Sequence, residues 1–307
     1  MSIRLDTLNE PLDIPRAFLD ITGGSEAEIL RFFDDCVYDE GKGYNTYMIS
    51  SEKGAFVLKK YRYPEDFEAE VRQYERLRGL PVPKLLGASE NCILMGFVPG
   101  DDLKQPSDDG IRAAARSLAK IINAYPMGRG YEQSRYDRYL KRLEKRAGYL
   151  KDEPELKKAF DIFFERQKRI PLTISNADLL PINVLYDGNK ATLIDWEFGG
   201  FLPYSLDIAR FITHCTENGE VTSFRMSGEQ KKLFLDLVYE KLFVKPSRDV
   251  FDMDVLLAQL NECVEILEYY LGDPSVERGA VFELYYPMAK KLAADITANI
   301  TLEDHQA

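Results

Sequence analysis

The chain has 307 residues, forty Lys and Arg against fifty-one Asp and Glu, and a net charge of −11, with 45% hydrophobic and 30% charged residues. That composition describes a folded globular protein rather than a disordered one, and the acidic balance argues against a generic binder of nucleic acid or of anionic membrane. Two histidines, His214 and His305, and four scattered cysteines (Cys36, Cys92, Cys215, Cys263) without a CxxC pair argue against a Ser-His-Asp hydrolase, a zinc site or a disulfide framework.

Any acid–base chemistry therefore falls to carboxylates. The N-terminal segment lacks the apolar core of a signal peptide, and no run of eighteen apolar residues occurs, so a cytoplasmic protein with reduced thiols is expected. In chain order, residues 25–36 read as a helix with Ser25 as N-cap and Ile29, Leu30 and Phe33 on one face. Residues 47–50, 55–59 and 92–97 read as strands, with Lys53-Gly54 as a hairpin turn between the first two. A helix is predicted over 65–79, where Val71, Tyr74 and Leu77 recur at helical spacing and Gly79 suits a C-cap.

Beyond Pro99-Gly100 the signal turns helical, over 111–124, 136–150 and 155–167. After a stranded stretch over 172–211, three more helices are predicted over 229–242, 253–271 and 276–300, the last with a candidate break at Pro287. The strand-to-helix change divides the chain into residues 1–99 and 100–307.

The stretch 172–211 holds the chemistry. Asp178 is followed by Asn183 five residues on and by Asp195 twelve beyond that, and two short apolar runs around Asp187-Gly188 predict a hairpin between Asn183 and Asp195. Such a hairpin folds Asp195 back beside Asn183, and an amide oxygen next to a carboxylate suits a hard cation such as Mg²⁺. Asp178 would then stand beside them, free to orient or deprotonate a hydroxyl. A D-x₄-N pair alone is a weak signal; placed before this hairpin it is a strong one.

The segments SNADLLPIN, LIDWE and DIA resemble the phosphotransferase family that includes aminoglycoside phosphotransferases and choline kinases, relatives of the protein kinases. The stretch LIDWEFGGFLPYSLDIA looks especially like choline-kinase-like bacterial members, and the resemblance spans residues 37–215. It implies an α+β, bilobal, protein-kinase-like fold: a small N-terminal antiparallel sheet lobe with one helix, and a larger, mostly helical C-terminal lobe. It implies a kinase that uses ATP or GTP with Mg²⁺ and a small-molecule hydroxyl acceptor, with neither nucleic acid nor membrane as partner. Oligomeric state is left open.

Carried over residue by residue, Asp178 resembles the catalytic base, Asn183 and Asp195 the two Mg²⁺ ligands, and Asp207 the carboxylate that braces the catalytic loop. Lys59 matches the lysine that meets the nucleotide phosphates, and Glu70 its ion-pair partner, with Glu68 and Glu75 as competitors. Gly41, Gly43 and Asn45 fall in the phosphate-covering turn, and Met95, Gly96 and Val98 at the strand end where an adenine bonds the hinge. Glu197 is placed to reach a second metal or the substrate, or else to be a solvated strand-end carboxylate.

Candidates for the acceptor wall are Trp196, Phe198, Tyr204, Glu268, Tyr269, Tyr270, Tyr285 and Tyr286, since an aromatic cage with carboxylates would take an ammonium. Choline or ethanolamine, an aminoglycoside and an uncharged sugar all remain open. Asn176 replaces the family histidine that supports the catalytic loop, and Ala177 the family glycine. That departure keeps a second reading in play: a nucleotide-binding regulatory protein without phosphoryl transfer.

Overall fold

In the computed structural model, which describes residues 4–7, 14–23, 28–33, 46–273 and 275–304, the N-terminal part is a six-stranded sheet in the order β1-β2-β3-β4-β6-β5. Its strands are β1 (Arg4–Thr7), β2 (Glu28–Phe33), β3 (Thr46–Ser51), β4 (Gly54–Lys60), β5 (Leu85–Ser89) and β6 (Cys92–Gly96), every pairing antiparallel. Two helices accompany it, α1 (Arg16–Thr22) and α2 (Pro64–Arg76).

Side-chain alternation along β4 buries Phe56 and Leu58 in a small core with Phe18, Ile49 and Leu94. Lys59 is thereby turned to the opposite face, which α2 and the following lobe cover. The Lys53-Gly54 turn sits where expected, with Gly54 at φ +126°.

The helix expected over 25–36 is not there: Glu28–Phe33 is a strand, paired with β3 from Glu28↔Ser50 to Arg31↔Tyr47. Ile29 and Leu30 do fit a helical face, but the backbone of β3 offers a ladder partner, and tertiary pairing overrides the local pattern. The elements β1, α1 and β5 carry too little periodicity in four to seven residues to be read from sequence. Gly41, Gly43 and Asn45 lie outside the described residues.

At Gly100 the chain leaves the sheet with φ +125°, and a Cβ there would meet the Tyr186 carbonyl oxygen at 2.5 Å, so only glycine fits. β7 (Asp101–Asp102) follows, then α3 (Asp108–Ala124), α4 (Ser134–Tyr149) and α5 (Pro154–Gln167). α3 is capped by the Ser107 hydroxyl, which accepts from the Gly110 amide at 3.1 Å, and buries Ile111, Leu118 and Ile122.

β8 (Leu172–Ser175) pairs antiparallel with β11 (Gly200–Pro203), and β9 (Val184–Tyr186) with β10 (Ala191–Leu193). α6 (Ser205–Thr213), α7 (Gly228–Lys241), α8 (Arg248–Gly272) and α9 (Ala280–Asp304) complete the lobe. α9 continues through Pro287, because Tyr285, Ala289, Ala293 and Ile296 are all buried and hold both halves in place. The chain is thus an α+β protein of two lobes, a sheet lobe and a larger helical one. No helix among the described residues is long and apolar enough to cross a membrane.

Candidate active site

The Asp187-Gly188 turn makes the expected hairpin. The Asp187 carboxylate accepts from the amides of Asn189 (3.0 Å) and Lys190 (2.9 Å), and Gly188 takes φ +91°. Val184 therefore lies opposite Leu193, and the Ile194 amide donates to the Asn183 carbonyl at 2.9 Å. Asp195 is folded back beside Asn183.

The Asn183 side-chain nitrogen donates to the Asp178 carbonyl at 2.7 Å, which leaves its side-chain oxygen as the atom available to a cation. Asp195 adopts φ +57°, a strained value for a non-glycine residue. Two contacts hold it there: its carbonyl accepts from the Asn176 amide group at 2.7 Å, and its carboxylate binds Lys59 at 2.8 Å.

Lys59 sits at the junction of the two lobes. Its ammonium lies 2.9 Å from Glu70 on α2, 2.8 Å from Asp195 and 3.0 Å from Glu197. Burial would push the lysine down, but the carboxylates of Asp195 and Glu70 outweigh it and raise its pKa well above the ordinary value. Glu70 is fully buried, accepts from the Tyr61 hydroxyl as well, and is itself raised by burial. Of its sequence competitors, Glu68 pairs only with Arg72, at 3.7 Å on the surface.

Glu70, Asp195 and Glu197 each present a carboxylate oxygen within 4.8 Å of the others. Three carboxylates around one ammonium form an all-oxygen donor set that fits Mg²⁺, a hard cation that takes oxygen ligands.

The loop from Asn176 to Asp178 is fixed from below. Asp207, buried near the start of α6, accepts from the Ser175 hydroxyl (2.9 Å) and from the backbone amides of Asn176 (2.7 Å) and Ala177 (2.9 Å). Burial raises its pKa to about 6, against the pull of those donors. Asn176 is fully buried; its amide group donates to the carbonyls of Ile194 (3.1 Å) and Asp195 (2.7 Å), and its oxygen accepts from the Asp178 amide (3.1 Å). Asn176 thus ties the 176–178 loop to the Ile194–Asp195 backbone. Ala177 takes φ +64°, the left-handed conformation that explains a glycine preference there.

Asp178 is held by a residue the sequence reading missed. Arg210 donates to its Oδ1 from Nη2 at 2.6 Å and from Nε at 2.9 Å, while Nη1 binds Glu262 at 2.7 Å. Glu262 also contacts His214 at 3.1 Å, and His214 contacts the Tyr285 hydroxyl at 2.7 Å. Burial raises the Asp178 pKa, with Arg210 opposing; Glu262, although buried, is held low by Arg210 and His214. Arg210 was detectable in principle, since it lies three residues after Asp207 and so on the same side of α6. Its partners on α8 were not, because nothing local links residues 178 and 262.

Beside Asp178 opens a cleft of about 170 Å³, bounded by α4, α6 and α8 and the segment around Phe198. Its aromatic lining among the described residues is Tyr139 and Phe198. Trp196 is fully buried with its indole N–H on the Leu193 carbonyl, and Tyr204 is buried with its hydroxyl on Asp254. Tyr285 and Tyr286 are bound to His214 and Glu153, and of the proposed aromatics only Phe198 lines the cleft. A helix-rich segment with many tyrosines has to fill its own core first. At the other side of the junction, Met95 is core, Gly96 donates to the Lys84 carbonyl at 2.9 Å, and the Val98 amide makes no backbone hydrogen bond among the described residues.

The fold is shared with solved structures of low sequence identity. A choline kinase from Streptococcus pneumoniae matches with a TM-score of 0.54 at 15% identity, covering 82% of this chain and 90% of the other. An ethanolamine kinase from Plasmodium vivax matches at 0.59 and 13%, covering 91% and 84%. An ADP-bound aminoglycoside phosphotransferase matches at 0.52 and 12%, covering 83% and 92%. No curated protein sequence matches the chain. The model of the phosphotransferase enzyme family matches residues 38–233, well over half of the sequence. With the fold and the family model in agreement, the chain belongs to the phosphotransferase enzyme family and is a kinase-like phosphotransferase.

Proposed function

We propose that this phosphotransferase is a cytoplasmic kinase that moves the γ-phosphoryl group of ATP or GTP, taken up with Mg²⁺, to the hydroxyl of a small acceptor. The observation that carries this reading is Lys59, which reaches Glu70 in its own lobe at 2.9 Å and Asp195 of the other lobe at 2.8 Å. A buried ion pair joined to a carboxylate 136 positions away is unusual structural apparatus, and in a phosphotransferase it places a fixed positive charge where phosphate oxygens arrive.

In this reading residues 1–99 hold the nucleotide and 100–307 supply the loop and the acceptor site. Met95, Gly96 and Val98 meet the adenine, with the Val98 amide free to donate, and Gly41, Gly43 and Asn45 cover the phosphates. The Asn183 oxygen and Asp195 hold the cation, with Glu197 as a further ligand or a contact to substrate. The bound metal would neutralise phosphate charge during transfer. Asp178 accepts the acceptor's hydroxyl proton as the new O–P bond forms and the bond to the leaving nucleoside diphosphate breaks. Arg210 keeps Asp178 ionised and oriented, because an adjacent guanidinium favours the carboxylate form. Asn176, Ala177 and Asp207 hold the loop.

The alternative of a regulatory protein without transfer rested on Asn176. Its three hydrogen bonds within the loop and to the Ile194–Asp195 backbone favour the kinase reading over that alternative, because they hold the loop in place. The test is ADP release from Mg-ATP over a panel of amino-alcohols, aminoglycosides and sugars. Release that depends on an acceptor and is lost in Asp178→Asn supports the proposal. Release unchanged by that substitution would overturn the assignment of Asp178.

A further inference from the structure

The cleft beside Asp178 is small. About 170 Å³ is well below the 300–1,000 Å³ of sites for drug-sized ligands, so the group bound there has only a few heavy atoms. It is also charged in a specific way. Three carboxylates line it, Asp178, Glu262 and Glu265, and three arginines, Arg142, Arg146 and Arg210.

The carboxylates already have arginines. Arg210 holds Asp178 and Glu262, while Glu265 lies between Arg146 (3.5 Å) and Arg210 (3.7 Å). Arg146 is further bound to Glu268 at 2.8 Å and to the Asn261 oxygen at 2.6 Å. Arg142 has no hydrogen-bond or ion-pair partner among the described residues, and neither does Arg138 one turn earlier on the same side of α4.

These two belong to a row, Arg135, Arg138, Arg142 and Arg146, at the three- and four-residue spacing of a helix face. Arg135, at the start of the row, donates to the carbonyls of Glu197 and Gly199. Burial and repulsion from Arg138 and Arg142 both depress its pKa, so the row is crowded with like charge. In a chain of net charge −11, Arg142 adds to the cleft lining a guanidinium without an ion-pair partner among the described residues, and its neighbour Arg138 strengthens the local positive potential, which favours an anion. Each carboxylate of the lining already faces an arginine, so an ammonium acceptor would compete with those arginines for it.

The geometry points to a small alcohol that carries an acidic group, carboxylate or phosphate, as the acceptor: its hydroxyl meets Asp178 and its anionic oxygens meet Arg142, with Arg138 adding to the attraction from the neighbouring turn. This rests on the proposed phosphoryl transfer and narrows its acceptor to an anionic class. Arginine suits the role because its planar fork matches both carboxylate and phosphate oxygens.

The experiment is calorimetric titration of the full chain, loaded with Mg-ADP, with five probes: glycerate, glycerol 3-phosphate, glycerol, ethanolamine and choline. Glycerate or glycerol 3-phosphate is expected to bind at least about tenfold tighter than glycerol, the worth of one charge-assisted hydrogen bond. Which of the two binds better distinguishes a carboxylate from a phosphate acceptor. The exposed pair Arg138→Gln/Arg142→Gln is expected to abolish that preference while Mg-ADP binds unchanged, and Arg142→Lys to restore part of it. Tighter binding of ethanolamine or choline, equal binding of all five, or an anion preference that survives the double substitution overturns the inference. Failure of the wild-type chain to bind Mg-ADP would instead strike the proposed function.

Discussion

Around Lys59 one ammonium faces three carboxylates, whereas along α4 two of four arginines have no ion-pair partner among the described residues. The two clusters stand on either side of the Asn176–Asp178 loop and are unbalanced in opposite senses. Each imbalance is tolerated for a different reason. Asp195 and Glu197 keep a third or more of their side-chain surface open to solvent, so water screens the excess negative charge. Arg138 and Arg142 lie on the exposed side of α4, where water does the same for positive charge. Neither cluster is built for stability. Between them, the loop is held by hydrogen bonds to the buried Asp207 carboxylate and the buried Asn176 side chain, and by the Asp178–Arg210 pair, so its charges have partners, and that contrast separates what binds ligands from what keeps the scaffold rigid.

The largest expected effect falls on the loop itself. Asp178→Asn should lower turnover by about 10²- to 10⁴-fold, the usual worth of a positioned acid–base group, while Mg-ADP affinity is kept. Steady-state kinetics with parallel nucleotide titration checks this.

The next effect separates scaffold from ligand clusters. Asp207→Ala strands the Ser175 hydroxyl and two backbone amides in the core, so we expect a loss of about 3 kcal/mol or more in urea unfolding. Lys59→Met should leave the fold intact and weaken Mg-ADP binding, without changing any preference among acceptors. If Asp207→Ala were stability-neutral, the distinction between rigid loop and ligand clusters would be lost.

A smaller effect concerns pH. Burial raises the Asp178 pKa, so the acid limb of kcat/KM should lie above that of an ordinary aspartate. Arg210 opposes the rise by favouring the ionised form. Arg210→Gln should therefore move the acid limb to still higher pH, and Arg210→Lys should move it part of the way back. An acid limb that does not respond to Arg210 would show that the ion pair has only a structural role. The smallest effect is at Ala177: replacement by glycine relieves φ +64° and should stabilise the chain by about 0.5 kcal/mol, since a glycine's larger unfolded-state entropy offsets part of the gain.

Much of the site could be read from the sequence because its signals are local. The Asp187-Gly188 turn between two three-residue strands fixes the Asn183–Asp195 juxtaposition, and strand alternation in β4 puts Lys59 and Lys60 on opposite faces, the family pattern then singling out Lys59. Glu70, among the competitors Glu68 and Glu75 on the same predicted helix, was singled out by the family resemblance and not by a local signal. What stayed hidden needs contacts between distant segments: Arg210 with Glu262, the arginine row against the cleft, and the burial of Trp196 and Tyr204 that removes them from the acceptor wall. β2 was misread for the same reason, because its ladder partner lies some twenty residues further on. Helix lengths were legible to within a few residues; Pro287 was not a break, since packing on both sides outweighed one lost hydrogen bond.

The most direct measurement is phosphorus NMR of the wild-type chain and of Asp178→Asn, each with Mg-ATP and a mixture of hydroxylated acceptors. The wild type should give a new phosphomonoester resonance that grows in step with ADP, and Asp178→Asn should give none. Conversion of ATP to ADP and inorganic phosphate alone, or an equal phosphomonoester signal from both proteins, would contradict transfer to a hydroxyl aligned by Asp178.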